Sequence, residues 1–117
     1  DPEPTVEKML ASYADRDEEE LLAEIGAAEH GESLGLRPAE FGRYLRAGRQ
    51  WFDRNQQRFR DALCDHPAVK DIRAKVHSEV TTDAAVIADI LLGSFGQVPA
   101  TAAAVIIARR GLDALCP

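Results

Sequence analysis

Apolar and polar positions recur along most of this chain with a helical period, and two segments near its end depart from that by being apolar all round. Val6, Met9, Leu10 and Tyr13 fall at i, i+3, i+4 and i+7, the spacing of one helix face. Leu21, Leu22, Ile25 and Ala28 supply a second face. Asp15-Arg16-Asp17 separates them. Asp17 with Glu20 three positions on forms a capping-box pattern, and Glu18, Glu19 and Glu20 suit the positive end of a helix dipole. Pro2 and Pro4 suit the start of the first helix, and His30-Gly31 the end of the second, with glycine at C′.

The strongest amphipathic signal follows a polar loop at Glu32–Leu36. Phe41, Tyr44, Leu45, Gly48, Trp51, Phe52, Phe59, Ala62 and Leu63 share one arc at about 100° per residue, which predicts a long central helix over about 38–64. Pro38 suits its first turn, and Asp65-His66-Pro67 ends it because a proline disfavours helix in the residue before it. Val69, Ile72, Val76 and Val80 predict a shorter helix, with Thr81-Thr82-Asp83 as the next N-cap.

Residues 83–115 then read as an apolar helical hairpin. Ala84–Leu92 and Pro99–Ala108 are nearly charge-free arms around Gly93-Ser94-Phe95-Gly96, and Arg109-Arg110-Gly111 closes the second. Each arm offers only about ten apolar residues where a span needs roughly 20, so no transmembrane helix is expected. An arm that is apolar all round belongs inside a bundle, against a partner, or in a membrane surface. No segment alternates as a strand does. The expectation is an all-α fold: one domain over residues 1–117, a single compact bundle of five to six helices.

Composition narrows this only moderately. With 117 residues the chain can bury roughly 65% of its unfolded surface, enough for a core. Charged residues at 29% and hydrophobic ones at 45% are ordinary for a folded globule and argue against disorder. Eleven arginines against three lysines, with nineteen alanines, suggest a GC-rich bacterial genome. The opening Asp1-Pro2, without a methionine or an apolar leader, suggests a piece of a longer or processed chain. Cys64 and Cys116 make no disulfide framework and are expected as free thiols in a cytoplasmic protein.

Charge is unevenly spread. Residues 1–33 carry eleven acids against two bases, a net of −9; the remainder carries nine acids against twelve bases, a net of +3, giving −6 in all. Seven arginines lie between Arg37 and Arg60. They spread over more than half the helical wheel, and the aromatics fall on the opposite arc. With that geometry and an acidic chain, nucleic-acid binding is the lesser reading.

Candidate chemistry is sparse. Cys64-Asp65-His66 resembles a fragment of a metal or nucleophile site, but His30, His77 and Cys116 add no ligand register and no strained nucleophile turn follows. Consecutive Glu18, Glu19 and Glu20 point about 100° apart on a helix and cannot converge on one site. No catalytic residue, metal ligand or cofactor site is therefore expected. Asn55 is the oddest residue, an amide near the centre of the apolar arc: the plainer account is an amide bonded to neighbouring backbone or at a partly exposed helix end, and the functional one a device fixing register between packed helices or subunits.

The expected function is a non-enzymatic protein–protein interaction module, an adaptor, accessory or regulatory subunit that binds a protein partner or a second copy. Val98, Val105, Ile106 and Ile107 would anchor the contact. The Glu18, Glu19, Glu20 edge and the Arg43, Arg46, Arg49 face would set orientation and rate. A membrane-active helical hairpin, in peripheral contact with lipid, is the second alternative beside nucleic acid.

Overall fold

Glycines, a proline and two side-chain amides decide where the helices stop. The computed structural model describes residues 6–31, 38–77 and 79–117. The expected roles of Pro2, Pro4, Glu32–Leu36 and Arg37 lie outside the described residues. All regular structure among the described residues is helical: α1 (Val6–Tyr13), α2 (Glu18–Glu29), α3 (Phe41–Arg54), α4 (Gln56–Leu63), α5 (Pro67–Ala74), α6 (Val80–Leu91), α7 (Gln97–Arg110) and α8 (Leu112–Leu115), with a 3-10 turn at Pro38–Glu40 leading into α3.

Asp17 caps α2 as the sequence suggests, its Oδ1 accepting from the Glu20 amide at 2.8 Å. His30 ends that helix and Gly31 follows at φ +68°, the left-handed conformation glycine takes most easily.

The expected five to six helices become eight for two local reasons. First, the long helix over 38–64 breaks at Asn55. Its side-chain Nδ2 donates to the Trp51 carbonyl at 2.8 Å while its own backbone N–H approaches the same oxygen at 3.1 Å. Gln56 Nε2 likewise reaches the Phe52 carbonyl at 3.1 Å. Side-chain amides competing for the last carbonyls of a helix bend it. Second, Gly111 at φ +93° turns the chain out of α7 and into the short α8.

Two other boundaries shift. The helix expected through Val76 and Val80 ends at Ala74, because Lys75 is extended; Val76 is 91% exposed. Val80 instead opens α6, whose N-cap is Glu79 rather than the expected Thr81-Thr82-Asp83, with Thr82 Oγ1 donating to Glu79 Oε2 at 3.2 Å.

The helix at the centre is α7, not α3–α4. It packs against α1, α2, α6 and α8, and every residue from Ala100 to Ile107 is buried. That environment explains its lack of a polar face. Thr101 Oγ1 is satisfied inside by the Gln97 carbonyl at 2.7 Å. Trp51, Phe52, Phe59 and Phe95 form an aromatic cluster with ring centroids 5.2–5.7 Å apart, joining α3, α4 and the hairpin turn.

The α2–α3 contact works differently. A Cβ on Gly48 would lie 1.7 Å from the Leu22 carbonyl oxygen, and one on Gly26 would lie 1.9 Å from that of Tyr44. The two backbones touch where only glycine fits.

The cysteines overturn the free-thiol expectation: Cys64 and Cys116 form a disulfide, with their Cα atoms 5.6 Å apart. Fifty-two positions separate them in sequence, and only tertiary packing closes the gap. Leu63 and Leu115 are both buried beside the bridge, and Arg60 Nε donates to the Leu115 carbonyl at 3.1 Å.

Candidate functional site

The acidic start of α2 and the arginines of α3 and α7 meet within the chain. Glu18 accepts from Arg110 Nε at 2.7 Å, and Glu19 pairs with Arg49 at 3.2 Å. Glu29 lies 3.8 Å from Arg54, Arg16 bonds Glu24, and Arg43 bonds Glu40. Among the described residues Arg46 and Glu20 carry no side-chain ion pair. Arg110 also lies over the Phe52 ring at 5.0 Å. The Arg110 hydrogen bond holds the Glu18 carboxyl below its usual range against the opposing effect of burial. Burial, with Glu24 nearby, pushes the Tyr13 phenol up to about 12.

Arg109 and Arg58 serve as internal clamps. Arg109 donates to the carbonyls of Tyr13, Ala14 and Arg16, capping the end of α1, with the Ala14 contact at 2.7 Å. Arg58 donates to Asn55 Oδ1 and to the Ser94 carbonyl, both at 3.2 Å, and lies 4.3 Å from the Phe95 ring centre. Asn55 is therefore buried with its amide satisfied inside one chain, linking the α3–α4 bend to the hairpin turn through Arg58.

The hairpin residues singled out by sequence lie deep. Val105, Ile106 and Ile107 are core side chains, while Val98 is only partly buried. They do not form one surface with Arg43, Arg46 and Arg49. Val105 does reach the floor of a groove of about 210 Å³, shared with Leu10, Ala14, Val80, Ala84 and Arg109. Sequence reasoning missed this groove because its parts come from α1, α6 and α7. Its rim residue Val80 is 42% exposed, and with Val76 it makes up the large hydrophobic side chains left exposed among the described residues.

The Cys64-Asp65-His66 fragment is accounted for structurally. Cys64 is held in the disulfide and has no thiolate to offer, and His66 Nδ1 accepts from the Ala68 amide at 3.1 Å as the cap of α5. Among the described residues no three His, Cys, Asp or Glu side chains gather as a metal site would require, and no helix is long and apolar enough to cross a membrane.

A second depression, of about 350 Å³, lies between α5, α6 and the α7–α8 turn. Arg73, Lys75, Arg110, Asp83 and Asp113 line it, with Ile72, Leu112 and Ala114. Asp83 is 6% exposed, and among the described residues its Oδ1 has no hydrogen-bond partner. No protein-family model matches the chain, and no curated protein or solved structure matches it.

Proposed function

We propose that this protein is a non-enzymatic protein–protein interaction module, an adaptor or regulatory subunit that docks a partner at the groove between α1, α6 and α7. The observation that carries the reading is the position of Val80, an exposed apolar residue at the rim of a groove floored by Leu10, Ala84 and Val105. Exposed apolar surface next to a formed groove is the usual seat of a contact, whereas scattered single side chains are not. The hairpin thus contributes through Val105 at the groove floor, while Ile106 and Ile107 remain core. The arginines expected to steer a partner are largely engaged within the chain, which also weakens the nucleic-acid alternative. The disulfide favours a compartment in which thiols stay oxidised over the cytoplasm.

Light scattering across a concentration series, on the wild type and on Val80→Asp, tests the groove. Self-association lost in Val80→Asp supports docking of a second copy. A strict monomer sends the test to a photo-crosslinker placed at Val80, with one at Arg46 as control, in the native cell. If the protein is monomeric and Val80 crosslinks to nothing that Arg46 does not, the reading fails.

A further inference from the structure

The depression between α5, α6 and the α7–α8 turn differs from the docking groove in chemistry. Its walls are charged, and most of its charges are already committed. Arg73 donates to Asp113 at 2.9 Å and to the Cys116 carbonyl at 3.4 Å, and Arg110 is bound to Glu18. Two lining groups remain unspent: the exposed Lys75 ammonium and the buried Asp83 carboxylate.

Asp83 lies in the first turn of α6, where the helix dipole favours a negative charge. The dipole accounts for the charge but not for an oxygen without a donor. The Asp83 side chain lines the depression, and among the described residues no cation pairs with its carboxylate. Among the described residues the lining carries three cationic and two carboxylate side chains, so a metal ion would be repelled and would find too few ligands there. A simple anion would face Asp83, and a simple cation would face Lys75. A molecule carrying both an ammonium and a carboxylate satisfies both. A volume of about 350 Å³ sits at the small end of ligand sites and suits a free amino acid or dipeptide.

We propose that this depression binds a small amino-acid-like zwitterion, its ammonium on Asp83 and its carboxylate on Lys75. The disulfide matters here because it holds α8, which forms one wall.

The test is a titration of the intact, oxidised protein followed by two-dimensional amide NMR. The probes are glycylglycine and the free amino acids in turn, with N-acetylglycine and ethylamine as single-charge controls. The expected result is a saturable shift confined to the amides of residues 72–75, 83 and 108–114 for at least one zwitterion. Asp83→Asn should then weaken binding about ten- to hundredfold, the scale of a lost charged hydrogen bond. Lys75→Gln, at an exposed position, should weaken it by less and carries the test if Asp83→Asn does not fold. No saturable shift with any zwitterion overturns the proposal. So does N-acetylglycine or ethylamine binding as tightly as the zwitterion, or binding that survives the substitutions unchanged.

Discussion

The α2–α3 pair and the assembly around α7 solve the same problem by opposite means. Helices α2 and α3 are charged on the outside and meet through their backbones, with Gly26 and Gly48 clearing the crossing and Glu19–Arg49 and Glu29–Arg54 at its edge. Helix α7 has little charge before its end and is covered by neighbours on every side. Its end is held by a covalent bridge beyond α8 together with contacts from Arg60 and Arg73. Close approach suits a pair that must keep a wet face. Enclosure suits a helix that has none. The difference implies that the two regions fail under different insults.

Breaking the bridge should have the largest effect. Closing a loop of this length stabilises by about 4 kcal/mol in the chain-entropy account, so Cys64→Ser with Cys116→Ser should lower Tm by roughly 10–20 °C. Hydrogen exchange should show α8 and the end of α4 opening first, with α2 and α3 still protected. If protection falls uniformly, the two regions are one cooperative unit and the contrast is wrong.

The next test uses one chemical change at two places on one helix. A Cβ at Gly42 would meet only the Arg46 side chain, at 3.8 Å, so Gly42→Ala should stabilise by about 0.5 kcal/mol through helix propensity. At Gly48 the same methyl collides with the Leu22 backbone, and Gly48→Ala should destabilise by about 3 kcal/mol. Urea unfolding midpoints measure both. Equal signs at the two sites would mean that α2 and α3 separate more readily than their packing indicates.

Much of the helical content was legible because periodicity is a local property. The cap at Asp17, the stop at Gly31 and the apolar arms of the hairpin could all be read from neighbouring residues. What failed was non-local. Gly48 sat visibly on the apolar arc, but nothing in sequence says that a backbone carbonyl from α2 fills its missing side chain. Asn55 was visible as an anomaly, and the plainer account of it, an amide bonded to neighbouring backbone, holds at the Trp51 carbonyl one turn back; the helix bend there and the link through Arg58 to the hairpin turn were not legible. Cys64 and Cys116 could not be paired without the fold. The hairpin's apolar character was correct as pattern and misleading as surface, since Ile106 and Ile107 are enclosed by other helices. The candidate sites were least legible, because the groove and the charged depression are each assembled from at least three helices.

The smallest expected effect comes from the charged edge of α2, and pH isolates it. Arg110 holds Glu18 below the usual carboxylate range, so the folded state binds that proton less readily than the unfolded chain does. The stabilisation is complete above the unfolded value of about 4.3 and is lost as pH falls through the lower folded value. Both side chains are nearly half exposed, 43% for Glu18 and 46% for Arg110, so solvent screening limits the pair to about 0.5 kcal/mol. Glu18→Gln should therefore lower the urea midpoint slightly at neutral pH and hardly at all at strongly acidic pH. A penalty that persists undiminished in acid would show that Glu18 acts by packing against α7 and not by charge. The start of α2 would then be held against α7 by the same enclosure as the rest of the bundle, and the distinction between the two regions would rest on the Gly26 and Gly48 crossing with its Glu19–Arg49 and Glu29–Arg54 pairs.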